Sequence, residues 1–347
     1  MNVTRLAPGP ELEAHCARVG AVTSAVSREL LGTADLVWLP GEIRADITHP
    51  VPGVDRRWLL LTEGSQDVAG IEFEANSQTG GPPDCELWLP LGTDPELVVP
   101  RFLAIGNQFA AELGRQTWCA WYFHADLPAR VSSPEGIGSV GRDRVAELLI
   151  SHGARLGQVY RISALDLVED PVPVPVPSGY RVEQWLGPTP SAWLPQAAEL
   201  HTITMADAPT GQTGYVPEQF SVERVAADEA AAVVAGRELV SVLVLTDEGR
   251  PAALTQVAVQ GGHDLAYQWD TVVAPEHRGR RLGRLCKTMA AELVRSHHPR
   301  VRRMVTFNAA ENAHMLRINE ELGWRPIAHQ GVWVVPTQPG FRCPGPD

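Results

Sequence analysis

A strand, a short loop and a helix follow one another directly in the segment from Gln268 to Lys287. The β-branched run from Thr271 to Val273 favours a strand, Pro275 ends it, and an amphipathic helical pattern begins at Leu282. In that order, the backbone N–H groups of the loop and of the helix N-terminus point at one place. These donors have no partner inside the helix, and the helix dipole adds partial positive charge. The segment therefore predicts an anion site.

Basic side chains are concentrated around the same loop, although the chain has a formal net charge of -12. They are Arg278, Arg280, Arg281, Arg284 and Lys287. Such clustering in an acidic chain indicates a ligand that carries phosphate. The alternative is a basic turn that faces water, as many runs of charge do.

The segment resembles the pyrophosphate-binding loop of the GCN5-related N-acetyltransferase (GNAT) superfamily, which binds acyl-CoA. That loop reads Gln or Arg, two residues, Gly, one residue, then Gly or Ala, after a strand that ends Val-x-Pro. Arg278 opens the pattern here and Gly283 closes it, but Arg281 replaces the middle glycine and becomes a possible extra phosphate ligand. The resemblance implies acetyl-CoA as co-substrate, held by Arg278, Gly279, Arg280, Arg281, Leu282, Gly283 and Arg284.

A second strand and helix are predicted after the loop. Residues 301–307 read as a strand, and Asn308 is placed to cap a following helix. Gly323 suits the left-handed residue that ends such a helix, ahead of a last strand at 331–335. The second half of a GNAT domain has this order, and the resemblance implies that Asn308 and Asn312 contact the pantetheine arm of CoA. For Asn308, a plain helix cap is an alternative that is compatible with that contact.

The composition is that of a globular protein. A length of 347 residues is sufficient for two domains, and 44% of the residues are hydrophobic against 20% charged. No apolar run approaches the roughly 20 residues that cross a bilayer, and no basic, apolar leader opens the chain. The five cysteines form no close pair, and the histidines lack metal-ligand spacing. We therefore expect a cytoplasmic protein without a metal or a membrane partner. The acidic balance argues against nucleic acid and favours a cationic substrate.

Short segments recur in the two halves of the chain. Residues 62–64, between two predicted strands, resemble 246–249, and Ala-Ala-Glu-Leu at 110–113 recurs at 290–293. The two offsets are similar, which indicates one architecture used twice. Alternating prolines in residues 169–178 predict an extended linker between the halves.

These observations predict two domains joined by the linker. The N-terminal domain would cover residues 1–168, the linker 169–178 and the C-terminal domain 179–347. The fold class expected is α/β (α+β), with each domain a mixed, mostly antiparallel twisted sheet flanked by helices. The arrangement resembles that of tandem GNAT proteins of the actinobacterial, mycothiol synthase-like type.

In the first half, strand patterns cover 58–62, 68–74, 86–91, 117–123 and 159–166, and helical patterns cover roughly 10–31, 97–114 and 142–153. The basic loop has no counterpart there, because LPLGTDPELVV stands where the second half has VAPEHRGRRLG. We expect this half to support the fold or frame the substrate cleft. Residues 136–141 match the Gly-x-Gly-x-x-Gly pattern of dinucleotide-binding sites. No strand is predicted before them, so a loop is favoured over a nucleotide site.

The resemblance implies direct attack of an amine on the thioester. The backbone N–H groups of Val272 and Val273 are the expected donors to the thioester carbonyl oxygen. Asp270 is the leading candidate for the base, because a carboxylate in apolar surroundings has a raised pKa. Alternatively, backbone donors satisfy Asp270 and it only shapes the strand. Lesser candidates are Glu311, Asp207 and His201, and a water chain is a further route.

The family often places a tyrosine, the acid for the departing thiolate, four residues before a Gly-Phe pair. Asn319 has that position here, ahead of Gly323. An amide donates a hydrogen bond but no proton at neutral pH, so the thiolate is expected to leave unprotonated or through water. Residues 201–211 predict a helix that breaks at Asp207, and the resemblance implies a substrate-facing loop in this region. Asp207 is either a ligand for a cationic amine or part of a turn.

The predicted function is an acetyl-CoA-dependent N-acetyltransferase, active in the C-terminal half on a small-molecule amine. A natural product, an antibiotic or an amino sugar would fit. One alternative is an acyl-CoA-binding protein without turnover, and another is a protein-lysine acetyltransferase. An enclosed pocket between the halves would favour a small acceptor, whereas a wide acidic groove would favour a peptide. The protein is expected to be a monomer or a homodimer.

Overall fold

The computed structural model describes residues 1–167 and 173–337, and both halves of the chain contain helices and strands. The helices are α1 (Leu12–Leu30), α2 (Pro40–Thr48), α3 (Pro95–Glu112), α4 (Arg144–Ser151), α5 (Leu194–Asp207), α6 (Val222–Val234), α7 (Leu282–His297) and α8 (Ala313–Glu321). The strands are β1 (Asn2–Arg5), β2 (Val54–Glu63), β3 (Gln66–Asn76), β4 (Asp84–Trp88), β5 (Thr117–Phe123), β6 (Arg130–Ser132), β7 (Ser139–Gly141), β8 (Arg155–Asp166), β9 (Tyr180–Leu186), β10 (Arg237–Thr246), β11 (Pro251–Gln260), β12 (Leu265–Val273), β13 (Arg303–Ala309) and β14 (Arg325–Pro336).

The two halves repeat one order of elements. Each has a strand, two helices, three strands, a helix, a strand, a helix and a last strand, and the first half adds the β6–β7 hairpin. The recurring segments occupy matching places. Gly64 and Gly249 lie in the β2–β3 and β10–β11 turns with φ of 58° and 84°, which is the left-handed region that glycine enters without strain. Ala110 and Ala290 lie in α3 and α7.

One sheet runs through both halves. Among the described residues, its strand order is β1-β2-β3-β4-β5-β14-β8-β13-β12-β11-β10-β9. The pairs β4–β5 and β12–β13 are parallel, and the others are antiparallel. The fold is therefore the predicted α+β arrangement of two similar units, each a mixed and mostly antiparallel sheet with helices against it.

The last strands of the two halves are exchanged. β8, which ends the first half, pairs with β13 of the second half, and β14, which ends the second half, pairs with β5 of the first. β8 and β14 also pair with each other. Each half thus completes its sheet with a strand from the other, and the inner edges leave no long row of unpaired backbone groups.

Helices cover both faces of the second half. Alternate residues of β10 pack on opposite faces of the sheet, because successive side chains of a strand point in opposite directions. Val242 and Val244 belong to the core beneath α7, whereas Leu243 and Leu245 pack with Leu200 of α5. The helices α5 and α7 therefore lie on opposite faces of the sheet in the second half.

Most of the predicted elements are present. The strand patterns of the first half overlap β2, β3, β4, β5 and β8, and the helical patterns overlap α1, α3 and α4. The patterns miss β1, which is short, and α2, which opens with Pro-Gly. The fingerprint-like residues 136–141 belong to the β6–β7 hairpin, with Gly136 and Gly138 at φ of 71° and 85°. Residues 169–172 of the predicted linker lie outside the described residues, and 173–177 form neither helix nor strand.

The helix expected at Asn308 begins later. Its N-cap is Asn312, whose side chain accepts a hydrogen bond from the Met315 N–H at 3.1 Å. Asn308 is instead in β13, opposite Arg161 of β8. Because pairing with β8 keeps the chain extended through Ala309, the prediction of an Asn308 cap is wrong. Gly323, with φ of 93°, follows the helix as predicted.

Candidate functional site

The basic loop joins β12 to α7 and presents a row of free backbone donors. Pro275 to His277 form a single 3₁₀ turn, after which the N–H groups of residues 279–284 have no hydrogen-bond acceptor among the described residues. Gly279 and Arg281 are both left-handed, with φ of 76° and 61°. Successive left-handed and right-handed residues turn neighbouring N–H groups toward one side, which is the geometry of an anion-binding nest.

Contacts with the rest of the second half hold the loop in place. The Ala274 N–H donates to the Ala252 carbonyl at 2.9 Å, so β11 anchors the end of β12. The Arg280 guanidinium donates to the Tyr180 hydroxyl at 2.6 Å, and that hydroxyl lies 3.0 Å from Nδ1 of the buried His277. The loop is thus positioned by β9 and β11, while its donors remain free.

The five cationic side chains have different environments. Arg278 pairs with Asp207 and donates through Nε to the Val273 carbonyl at 3.2 Å, and Arg284 lies 3.4 Å from Glu321. Arg281 is exposed, and its side chain has no hydrogen bond or ion pair with a described residue. Arg281 is therefore the free cation beside the row of donors.

Lys287 does not join this cluster. It is only 3% exposed, and its ammonium lies 5.0 Å from the centre of the Trp324 ring. Burial lowers its pKa to about 7. The interpretation of Lys287 as a phosphate-directed cation is wrong, because position 287 falls on the packed face of α7 rather than at its N-terminus.

A gap opens between β12 and β13 beside the loop. Their pairing ends at Gln268 and Thr306, and the two strands diverge beyond that point. Because the Ala274 N–H points to β11, the alternation along the strand turns the Val273 N–H away from β11 and into the gap. The register also directs the Val272 N–H toward β11, opposite Leu254. The free donor at the gap is therefore that of Val273.

Asp270 lies at a bulge of β12, where the β11 register shifts between Thr255 and Val257. Its carboxylate accepts a hydrogen bond from His201 of α5, with 2.9 Å between Oδ2 and Nδ1, and 32% of its side chain is exposed. The apolar surroundings expected for Asp270 are thus absent, since α5 brings an imidazole to it. His201 is buried and stacks on Phe220 with 5.4 Å between ring centres.

The charge of His201 follows from this pairing. Burial lowers the imidazole pKa, but the hydrogen bond and the negative charge of Asp270 outweigh burial, and the net shift of the His201 pKa is upward. The two side chains form a polar pair whose carboxylate faces the solvent side. The sequence contains no local signal for this pairing, because residues 201 and 270 are distant in the chain.

Two of the predicted asparagines, Asn308 and Asn319, are in contact at the far side of the gap. Asn319 is 0% exposed and donates through Nδ2 to Oδ1 of Asn308 at 2.7 Å. Asn312 caps α8, as described above. Asn319 therefore holds Asn308 at the end of β13, and the Asn308 side chain is half-buried beside the divergence of the strands.

The corresponding helix of the first half has no free donors of this kind. Asp94 caps α3, and its carboxylate accepts a hydrogen bond from the Glu96 N–H at 3.0 Å. Pro95 follows at the first helical position and has no N–H. An aspartate and a glutamate at this N-terminus occupy the place that an anion would take.

A cavity of about 200 Å³ lies between the two halves. Its lining includes Asp84, Trp121 and Tyr160 from the first half and Met205, Pro209 and Tyr215 from the second. The loop after α5 is held against the first half by direct contacts. The Gln158 amide donates to the Pro209 carbonyl at 2.6 Å, and Asn76 donates to Glu218 at 2.6 Å. The cavity did not emerge from the sequence, because its walls are assembled from both halves.

The described part of the chain has neither a membrane-spanning helix nor a cluster of metal ligands. No helix within residues 1–167 or 173–337 is long and apolar enough to cross a membrane. The same residues contain no group of histidine, cysteine, aspartate and glutamate side chains arranged to hold a metal ion.

The chain is similar in structure to acetyltransferases of known fold. A tandem GNAT protein from the clavulanic acid biosynthesis pathway is 21% identical, with a TM-score of 0.75 over 98% of this chain and 100% of the other. A GCN5-related N-acetyltransferase from Sphaerobacter thermophilus is 13% identical, with a TM-score of 0.66 over 98% of each chain. No protein-family model matches the sequence, and no curated protein matches it.

A third similar structure is an acyltransferase with a bound long-chain acyl-CoA. The N-myristoyltransferase of Saccharomyces cerevisiae, solved with bound myristoyl-CoA, is 10% identical, with a TM-score of 0.55 over 97% of this chain and 79% of the other. At these identities the similarity establishes the fold, which is that of two GNAT domains in tandem over the matched part of the chain.

Proposed function

We propose that this protein, which has the tandem GNAT fold, is an acyl-CoA-dependent N-acyltransferase whose C-terminal half transfers an acetyl group from acetyl-CoA to a small-molecule amine. The observation that carries the proposal is the row of free N–H groups from residue 279 to 284, beside the free Arg281 side chain. Backbone donors at a helix N-terminus, with a cation next to them, match the chemistry of a diphosphate.

The first half has no equivalent of the basic loop, and this difference supports a CoA site in the second half only. Its α3 N-terminus is closed by Asp94 and Pro95, and no cationic loop precedes it. The division into a first domain at 1–168, a linker at 169–178 and a catalytic domain at 179–347 is part of this proposal. In it, the first half frames the acceptor and only the second half binds acetyl-CoA.

The residues beside the gap are suited to acyl transfer. The Val273 N–H would donate to the thioester carbonyl oxygen as negative charge develops there. The amine nitrogen would attack the carbonyl carbon, the carbon–sulfur bond would break, and the CoA thiolate would leave. Asp270, held by His201, would take the proton of the amine. Asn319 would position Asn308 beside the pantetheine arm rather than supply a proton.

The acceptor is proposed to be small, because the cavity between the halves is lined by side chains from both and measures about 200 Å³. A peptide acceptor would need a longer groove. A natural-product amine, an antibiotic or an amino sugar remains within this class. The proposal places the protein in the cytoplasm, where the buried, unpaired Cys16, Cys85, Cys119 and Cys286 would stay reduced. A monomer or a homodimer remains the expected state.

Calorimetry with CoA on the wild type and on two Gly283 variants tests the site. A Cβ at position 283 would lie 3.5 Å from Val273 Cγ2 and 3.8 Å from Ile318 Cδ1, which are ordinary contacts. Gly283→Ala should therefore fold normally and retain most of the CoA affinity. Gly283→Leu fills the space between β12 and α8 and should weaken CoA binding by about tenfold or more.

Thiol release from acetyl-CoA with a panel of amines distinguishes an enzyme from a binding protein. Release that depends on the amine supports the acyltransferase. CoA binding without release for any amine would favour the non-catalytic alternative. Absence of CoA binding at millimolar concentration, or equal affinity in both Gly283 variants, would contradict the proposed site.

A further inference from the structure

The cavity between the halves begins close to the proposed reaction centre. His201, which bonds Asp270, and Met205, which lines the cavity, are four residues apart on α5 and therefore lie on one face of that helix. On the other side, Tyr160 of the cavity wall lies opposite Ala309 at the end of β13. The cavity thus lies beside β8, which pairs with β13, and Met205 in its lining is about one helical turn along α5 from His201, the partner of Asp270.

The first-half wall of the cavity carries a carboxylate beside aromatic rings. Asp84 accepts a hydrogen bond through Oδ1 from the Trp121 indole N–H at 2.7 Å, and its Oδ2 has no donor among the described residues. The Trp121 and Tyr160 rings pack with 5.1 Å between their centres. Burial raises the pKa of Asp84 to about 7. Its exposed surface opens into the cavity, where a cation would stabilise the carboxylate.

The charges around the cavity are negative. None of the described residues that line it is a lysine or an arginine. The pKa of the Tyr215 phenol is raised by burial first, and then by the negative charges of Glu218, Asp84 and Asp270. Tyr215 therefore lies within electrostatic reach of both the Asp84 wall and the Asp270 side. A cavity with this potential attracts cations and repels carboxylates and phosphates.

We propose that the acceptor is a compact amine with a second cationic group, such as a diamine. Asp84 binds the second ammonium or amidinium group, Trp121 and Tyr160 cover it with aromatic surface, and the reacting amine points toward Asp270. A carboxylate with adjacent ring faces is the usual environment for an organic cation. This inference rests on the proposed function, since it names the substrate class of that site.

The size of the cavity limits the acceptor. A protein cavity of about 150 Å³ holds one benzene molecule. The cavity here, at about 200 Å³, therefore accommodates a single ring with short amine arms or an aliphatic chain of similar volume. The first half, although it lacks a CoA loop, thereby determines which acceptor binds.

Matched ligand pairs test the inference by calorimetry, with and without CoA. The pairs are 1,5-diaminopentane with hexylamine, and 1,4-bis(aminomethyl)benzene with 4-methylbenzylamine. Each diamine should bind about tenfold more tightly than its monoamine, as expected for one charge-assisted contact. Asp84→Asn keeps the Trp121 hydrogen bond and should abolish this preference, so that each diamine binds no more tightly than its monoamine. Asp247→Asn, at an exposed turn, is the matched control and should retain the preference.

A second variant guards against misfolding of the Asp84 variant. Met205→Lys introduces a cation into the lining and should abolish diamine binding selectively. Equal affinity for diamines and monoamines, or a preference that survives in both Asp84→Asn and Met205→Lys, would overturn the inference. Those outcomes would not bear on acetyl transfer to another kind of amine. In contrast, a protein that binds diamines but not CoA would refute the proposed function, while the cavity would still be a diamine-binding site.

Discussion

Arg281 combines an unfavourable backbone with a useful charge. Its φ of 61° is the only positive value among the non-glycine residues that the structure describes. The GNAT loop pattern that the sequence resembles has glycine at this position. A left-handed residue with a Cβ costs about 1 kcal/mol relative to glycine. Strain of this kind persists where the surrounding structure enforces it, and here it holds a free guanidinium beside the row of N–H donors.

Two substitutions separate these contributions of Arg281. Arg281→Gly removes both the strain and the charge, and it should raise the free energy of unfolding by about 1 kcal/mol. Arg281→Gln removes only the charge and should leave stability near that of the wild type. Both should weaken CoA binding to a similar extent, as measured by calorimetry and urea unfolding. Retained CoA affinity in both variants would show that Arg281 does not contact phosphate.

Lys287 is a buried cation, and the extent to which its charge destabilises the folded protein depends on pH. Its pKa is about 7 in the folded protein, below the ordinary value of 10.5, so the unfolded chain binds more protons between these values. Stability therefore rises with pH across that window. Lys287→Met keeps the contact with Trp324 and removes the charge. It should raise Tm by several degrees at pH 6 to 7, and this gain should shrink as pH approaches 10. A gain that is constant with pH would contradict the burial argument.

At the scale of elements, α5 and β12 together form the polar pair of the site. α5 packs on β11 and β12, and the bulge of β12 turns Asp270 toward His201. Neither element supplies a base in isolation, because the position of the carboxylate depends on the helix. The same helix carries Met205, which lines the cavity, so α5 would link the proposed acceptor to the proposed reaction centre.

Substitutions at this pair should affect turnover without affecting CoA. Asp270→Asn should lower kcat by about 100-fold, the usual contribution of a positioned base, with CoA affinity unchanged. His201→Phe should cause a smaller loss and shift the pH profile of kcat, because it releases the carboxylate from its partner. The comparison uses steady-state kinetics and CoA calorimetry on the same preparations. A wild-type kcat in Asp270→Asn would assign proton removal to a water chain.

At the scale of the whole molecule, the exchange of β8 and β14 couples the two halves. Each half completes its sheet with the last strand of the other, and Glu42 of α2 bonds Arg237 and Gln260 of the second half at 2.7 Å each. Glu42 is 1% exposed, so these bonds lie within the interior. Such an arrangement favours unfolding as one cooperative unit rather than domain by domain.

Urea unfolding of the intact protein should therefore show a single transition. Tryptophan fluorescence and far-UV circular dichroism should give the same midpoint. Residues 1–168 and 179–347, expressed separately, should each fail to fold, and co-expression should yield a complex with the exchanged strands in place. Two separate transitions, or a stable isolated half with native circular dichroism, would show that the halves are independent domains.

The local elements and the chemistry of one loop follow from the amino-acid sequence alone. Strand and helix periods, the order strand, basic loop, helix, and Gly323 at a helix end are properties of neighbouring residues, and the structure retains them. The family resemblance followed from the same local pattern, which is why the tandem GNAT fold was predictable.

The tertiary structure alone decided the contacts between distant residues. The pairing of β13 with β8 keeps Asn308 in a strand, so that Asn312 caps the helix instead. Packing of the second half buries Lys287 beside Trp324. The pairing of His201 with Asp270 and the placement of Asp84 on the cavity wall join segments far apart in the chain. Local patterns report which face of an element is apolar, but they do not report which distant element covers it, because that choice is made by the packing of the whole chain.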